Sequence, residues 1–358
     1  GGGHLVPGLA PAARGGLRGG LMFSPDLAGH RALRERLLAR FQEGRIRGSL
    51  LFAGPEGIGK RRVALELAQR EICFRRSACG HCEGCRMVEG DDLPFELPNL
   101  LRVAPEGKAG AIRIDQIREG LDSNGQARFS RGVIEWASLA PPAGCHRWIL
   151  VEEAHRLNES SGNILLKTLE EPPEGAHFIL VTHRPEALLQ TLRSRCERIP
   201  FAPLSEPEAW EVARRRGWTE ADRARWSALG DGSLRFLDES AFRRAEAQLE
   251  AWLHLLEGRA FAEAAEPLLP EKDSPLAQGE QLRQPLELLL RLLADVARIR
   301  AGGDAALVPW SDRLARQASG DHPFRSGQEA ALEALRHLPR NLSAEPLLRE
   351  VALALRAD

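Results

Sequence analysis

An α/β core of parallel strands, followed by a wholly helical C-terminal part, is the fold class this sequence predicts. Three observations predict it. Ser49 to Ala53 (SLLFA) is a short apolar run that enters a Gly-rich turn and then a helical pattern from Arg61 to Ile72. Further short apolar runs alternate with helical segments as far as Pro200, the arrangement of a parallel sheet covered on both faces. After Phe201 the strand signal stops and amphipathic helices take over.

The elements follow in order. Residues 1–21 are Gly-, Ala- and Pro-rich with no amphipathic period, and read as a disordered lead-in with Met22 a plausible start. Apolar residues at helical spacing (Leu27, Leu33, Leu37, Leu38, Phe41) predict a helix over 26–41. Strands are predicted at 49–53, 99–103, 147–151, 177–182 and 197–200, with helices at 61–72, 115–124, 158–169 and 187–192. Pro203 and Pro207 punctuate a linker to two short helices at 208–215 and 220–229. Leu- and Ala-rich amphipathic stretches then run at 241–267, 279–300, 325–337 and 342–356. The domain reading is a core over 22–203 with a cysteine module at 73–85, a small helical lid over 204–239, and a helical bundle over 240–358.

Composition bounds the function. The 358 residues suit two or three domains, and 43% hydrophobic with 28% charged residues excludes wholesale disorder. Lys+Arg is 49 against 50 Asp+Glu, so bulk electrostatics would not grip nucleic acid. No apolar run approaches the ~20 residues of a membrane span. The greasiest stretch, Leu286 to Leu293, is interrupted by Glu287 and Arg291. Six Cys, four of them between Cys73 and Cys85, read as a metal site in a reducing compartment rather than a disulfide scaffold.

Four strings carry chemistry. Gly54-Pro55-Glu56-Gly57-Ile58-Gly59-Lys60-Arg61 has the strand, spacing and Lys of a phosphate loop. Its amides and helix N-terminus would form an anion nest, with Lys60 reaching terminal phosphates. The hydroxyl residue that should bind Mg²⁺ is Arg61, which offers no oxygen. In Arg147 to Ala154 (RWILVEEA), Glu152 takes the place of the acid that holds the metal's water shell and is one methylene too long; Mg²⁺ tolerates such error poorly. Glu153, in the place of the acid that would polarise water, reads as vestigial. The bland readings are a Gly-rich turn without ligand and a solvated acidic turn.

Cys73-x5-Cys79-x2-Cys82-x2-Cys85 supplies four thiolates within 13 residues, enough to wrap one tetrahedral Zn²⁺ with no open position, hence a structural role. An iron–sulfur run is disfavoured because Glu89 stands where its last Cys would be. Cys145 and Cys196 read as buried thiols. In the fourth string, LLKTLEEPPEGAHFILVT and then LRSRC, Thr182 ends a strand where a polar group could sense a γ-phosphate. Arg195 follows a helix end, which suits an arginine finger given to a neighbouring subunit. Taken singly, Thr182 is a turn cap and Arg195 a solvated charge.

Taken together, residues 26 to about 240 resemble the ATPase core of bacterial clamp loaders, within the extended AAA+ group. GHRALRERLLARFQEGRIRGSLLFAGPEGIGK, the four-Cys insert, LLKTLEEPPEGAHFILVT and LRSRC occur in that family's order. Gly232-Ser233-Leu234-Arg235 resembles its sensor-2 segment, making Arg235 the candidate arginine. The C-terminal helices are similar to the family's oligomerising collar only as a class of structure.

The resemblance implies two kinds of subunit. Motor (gamma/tau) subunits have an intact phosphate loop and an Asp-Glu pair. A second kind has a defective nucleotide site and keeps the Ser-Arg-Cys finger for the adjacent motor. Arg61, Glu152 and Arg195 put this chain with the second kind. The implied function is a cytoplasmic stator in a five-subunit ring with motor and delta subunits. That ring opens the sliding clamp and places it on primed DNA during replication. The chain itself is expected to have no independent catalysis, a structural Zn²⁺, ATP or ADP binding that is weak or absent, and no membrane partner. The alternative is an autonomous gamma/tau-like clamp-loader ATPase, for which the retained Lys60 speaks and against which Arg61 and Glu152 do.

Overall fold

The computed structural model describes residues 29–46, 48–75, 78–89, 93–107, 110–271, 278–320, 324–338 and 343–356. The predicted lead-in and Met22 lie outside them.

Six strands form one sheet: β1 Ser49–Ala53, β2 Glu96–Leu97, β3 Leu100–Val103, β4 Arg147–Val151, β5 Ala176–Thr182 and β6 Cys196–Pro200, in the order β2-β3-β4-β5-β1-β6. Five strands are parallel, as predicted, and the two-residue β2 adds an antiparallel edge against β3. A run of two residues carries no periodic signal, which is why the sequence did not announce it.

Alternation sorts each strand's side chains onto two cores. Leu50, Phe52, Leu100, Trp148, Leu150, Ile179 and Ile199 face one side, under α1 (Arg31–Gln42) and α2 (Lys60–Ile72). Leu51, Leu101, Val103, Ile149, Val151, Phe178 and Leu180 face the other, toward α4 (Ile114–Arg118), α5 (Val133–Ser138), α6 (Glu159–Glu170) and α7 (Gln190–Arg193). The short α3 (Glu83–Glu89) belongs to the cysteine module. A buried bidentate pair, Arg34 to Glu66 at 2.7 and 2.5 Å, ties α1 to α2. Breaking such a pair strands a charge in the core, at a cost of roughly 3 kcal/mol or more.

From Leu204 onward one apolar cluster runs to Leu355. It joins α8 (Glu206–Arg215) and α9 (Arg223–Gly230) to α10 (Glu239–Leu256), α11 (Phe261–Ala264), α12 (Gln278–Arg300), α13 (Ser311–Ala318), α14 (Arg325–His337) and α15 (Ala344–Ala354). The starts are written in the sequence. Ser205 and Glu208 make a capping box for α8, and Asp238 accepts from the Ala241 amide at 3.0 Å for α10.

Several predicted helices differ in extent: that over 26–41 begins at Arg31, after His30 at φ 54°, and that over 220–229 begins at Arg223. Three differ more. That over 115–124 stops at Arg118. Gly120 follows at φ 74°, and a Cβ there would meet the Arg131 carbonyl at 2.8 Å. That over 187–192 is a short 3₁₀ turn at Pro185–Ala187 followed by α7. That over 241–267 ends at Leu256, and its remainder is α11 and a 3₁₀ turn at Glu266–Leu268, where Pro267 lacks the donor a continuing helix needs. Among the described residues, no helix is long and apolar enough to cross a membrane.

Candidate functional site: a phosphate loop with a bridged metal seat

The phosphate loop joins β1, which lies between β5 and the edge strand β6, to the N-terminus of α2. Gly57 and Gly59 take left-handed φ of 69° and 91°. Gly57 is required by a close approach, since a Cβ there would lie 2.5 Å from the Ser233 hydroxyl and 2.7 Å from the Arg235 amide nitrogen. The segment after α9 thus closes on the loop: the Leu234 amide donates to Gly57 O at 2.8 Å and the Ser233 hydroxyl to Glu56 O at 2.7 Å. Lys60 is only 6% exposed, and its Nζ donates to Gly54 O at 2.8 Å and also to Pro55 O. Burial pushes its pKa down to about 8, with the Glu56 carboxylate opposing the shift. The lysine therefore serves its own loop's carbonyls.

Glu152 stands just beyond the end of β4. Its Oε1 lies 2.8 Å from Nε of Arg61 and 2.8 Å from Nε of Arg102, so one carboxylate oxygen bridges two guanidinium groups. Arg102 comes from β3, stacks on Phe95 at 4.6 Å and donates to Leu93 O at 2.5 Å. Its pKa is lowered by burial first, and Arg61 adds to the lowering while Glu152 opposes it.

A divalent ion does not fit here. Two cations already neutralise the one acid that would face it, and one of them, Arg61, stands where a hydroxyl ligand would be and has no oxygen to offer. Glu153 follows in a left-handed conformation, φ 43°, costly for a residue with a Cβ. Burial raises its pKa, opposed by Arg156 at 3.5 Å.

Thr182, at the end of β5, is buried. Its Oγ1 lies 3.0 Å from His155 Nδ1 and accepts from the Arg184 amide at 3.0 Å. Burial and then the neighbouring His183 push the His155 pKa down to about 2, so its ring stays neutral. Arg235 lies 3.5 Å from Glu287 of α12 and over the Phe236 ring. Thr182 and Arg235 thus both flank the phosphate loop, Thr182 by pairing with Ala53 just before it and Arg235 by packing its backbone on Gly57. Arg195 lies elsewhere: just after α7, its Nε donates to Glu170 at 2.9 Å and an Nη to Thr191 O at 3.0 Å, with a third of the side chain exposed.

The four cysteines converge as well. Cys73 caps α2, Cys79 and Cys82 lie in the following loop, and Cys85 sits in α3. Sγ separations are 3.7 Å (Cys73–Cys79), 3.9 Å (Cys73–Cys82) and 4.0 Å (Cys79–Cys85), and all four sulfurs lie within 4.8 Å of one another. A tetrahedron with metal–sulfur bonds of ~2.3 Å needs edges of ~3.8 Å. The four cysteines therefore fit a metal ion.

Gly84 lets the loop close: a Cβ there would meet Ile72 O at 2.3 Å. Amides at His81 and Cys82 lower the Cys79 pKa, which favours its thiolate. His81 is exposed and outside the cluster. Cys196 is buried, with its thiol pushed up to about 12, whereas Cys145 is only half-buried.

Sequence reasoning did not assign Arg102, His155, Arg184 or Glu280. A signal existed for Arg102, a lone cation inside the buried run Leu100–Val103. For Glu287 the signal was its interruption of the Leu-rich stretch of α12.

A helix-covered, mostly parallel sheet with a phosphate loop after β1, a strand-end Thr beside it and a helical segment closing on it define a phosphate-loop α/β core. Residues 29–205 match the family described as DNA polymerase III, delta subunit. The chain is similar to the DNA polymerase III subunit delta' of Escherichia coli, 33% identical over 50% of this chain and 48% of that protein. The subunit delta' of Bacillus subtilis is 28% identical over 88% of this chain and 92% of its own length. The subunit tau/gamma of Haemophilus influenzae is 29% identical over 51% of this chain and 24% of that protein. The chain thus spans less than half of the first and third of these relatives.

Proposed function

We propose that this chain works as the delta'-type stator of a DNA polymerase III clamp loader. In this reading it assembles with motor (gamma/tau) and delta subunits into the ring that loads the sliding clamp on primed DNA in the cytoplasm. The observation that carries the reading is the Arg61–Glu152–Arg102 bridge, which leaves no seat for the metal that triphosphate hydrolysis requires. Overall identity does not separate the two subunit types, since the delta' and tau/gamma relatives match the core almost equally. The Arg61 and Glu152 departures favour the delta' type. Residues 204–239 act as the lid and 240–358 as the collar that holds the ring.

Arg195 is the finger given to a neighbouring motor's ATP site. Its bonds to Glu170 and the Thr191 carbonyl involve exposed groups and are weak enough to exchange for a phosphate. The four cysteines hold a structural Zn²⁺ that braces the end of α2. Gly54, Gly57, Gly59, Lys60, Thr182, Arg235 and Glu153 form a relict nucleotide site that binds ATP or ADP weakly or not at all.

The test is reconstitution with motor and delta subunits. Arg195→Ala should leave the ring intact by size and lower its ATPase by ~10³-fold or more. An unchanged assembly ATPase would remove the finger role, and Mg²⁺-dependent hydrolysis by the purified chain alone would favour the motor reading instead.

A further inference from the structure

Three parts of the chain, far apart in sequence, meet over the phosphate loop. Glu280, in the first turn of α12, lies 3.3 Å from Arg156 and 3.2 Å from Arg184 of the core. Glu287, two turns further on, lies 3.5 Å from Arg235. Arg283 stands between them, 3.9 Å from Glu280 and 4.0 Å from Glu287. Positions 280, 283 and 287 share one helix face.

The group is half-buried, and four guanidinium groups, Arg156, Arg184, Arg235 and Arg283, are gathered around the two carboxylates Glu280 and Glu287 of one helix. The cluster adjoins the phosphate loop, because the Leu234 amide beside Arg235 donates to Gly57 O and the Arg235 backbone packs against Gly57. Arg156 and Arg184 follow the ends of β4 and β5, and Arg235 follows Gly232. An anion held by the phosphate loop would meet these arginines. Here the carboxylates of α12 meet them.

We infer that Glu280 and Glu287 are positioning residues whose carboxylates stand in for ligand phosphates, fastening α12 to core and lid beside the phosphate loop and fixing the angle between the core and the C-terminal bundle. The inference deepens the stator reading and rests on it in one respect: a fixed angle presents Arg195 at a constant place. Ordinary exposed ion pairs contribute little. This cluster differs in drawing cations from two core loops and the lid onto one helix face.

The experiment is hydrogen exchange on the full chain, comparing the native protein with the variant Glu280→Gln/Glu287→Gln. Amide protection over 182–187, 233–235 and 278–290 should fall roughly tenfold in the variant, the scale of losing a charge-assisted contact, while β1 and β4 keep theirs. Millimolar inorganic pyrophosphate, added without metal, should restore protection in the variant by occupying the vacated arginines and should leave the native protein unchanged. Adding Arg184→Gln to the variant should abolish that rescue. Unchanged exchange in the variant, or pyrophosphate protecting the native protein equally, would overturn the inference. If the double variant does not fold, Glu280→Gln alone reports on the contacts to Arg156 and Arg184. These measurements need no partner subunits, so their failure is separable from failure of the Arg195 test.

Discussion

The two ends of α2 make an instructive pair. At its C-terminal end, four thiols stand at the separations a tetrahedral ion requires, with two of them buried. At its N-terminal end, the seat where a phosphate-loop protein would hold magnesium is filled by Arg61 and Arg102 sharing one oxygen of Glu152. One end has a complete donor set. The other has its acid engaged by protein charge. The lesson is that a motif can keep its backbone turn, its glycines and its lysine while the side chains around it pair with one another.

The contrast can be tested from the strongest effect downward. Cys85→Ser should be the most damaging change: the hole it leaves is buried, and structural zinc contributes folding energy outright. Loss of about one equivalent of metal and a destabilisation of several kcal/mol are expected by metal analysis and thermal unfolding. A chain that keeps both its metal and its melting temperature would erase the difference between the two ends.

Glu152→Gln is expected to cost about 2 kcal/mol in urea unfolding, below the value for a fully buried pair because Arg61 is partly exposed. The native chain should show no rise in melting temperature with Mg²⁺ and ATP together. A clear rise would mean that the bridge opens to admit metal.

The smallest effect concerns acid. Burial, with His146 adding to it, depresses the His177 pKa to about 4. Between pH 4 and 6.5 the unfolded chain therefore binds a proton that the native chain refuses, and stability falls as pH falls through that window. His155 has the same sign and extends the loss to lower pH. His177→Gln should flatten the slope by up to about 1.4 kcal/mol per pH unit, read from urea midpoints at pH 5 and 6. Neither metal region is involved, so chelation should leave this slope alone.

Much of this was legible in local sequence. The phosphate loop, the spacing of Cys73 to Cys85 and the five parallel strands are each written in fewer than about twenty consecutive residues, where period and turn chemistry speak directly. The faults at Arg61 and Glu152 were equally plain, because each breaks a pattern at a known position. What the sequence did not disclose is where those residues turn instead. The partner Arg102 lies 41 residues beyond Arg61 in sequence and is brought in only by the pairing of β3 with β4. The Glu280 contacts span about a hundred residues or more and depend on how the C-terminal bundle sits on the core, which no local pattern encodes. The α3 helix was hidden for a different reason: its Gly84 and Cys85 read as loop chemistry, and only seven residues are helical.

The helix between the two sites has one further consequence. It is 13 residues long, a rod of about 20 Å. Gly84 seats the cysteine knuckle directly on the carbonyl of Ile72, the rod's last residue, while Lys60 is its first. A mechanical load placed on the knuckle by a neighbouring molecule is therefore delivered along a stiff axis to the Gly54–Gly59 turn. The two ends, chemically unlike, share one lever.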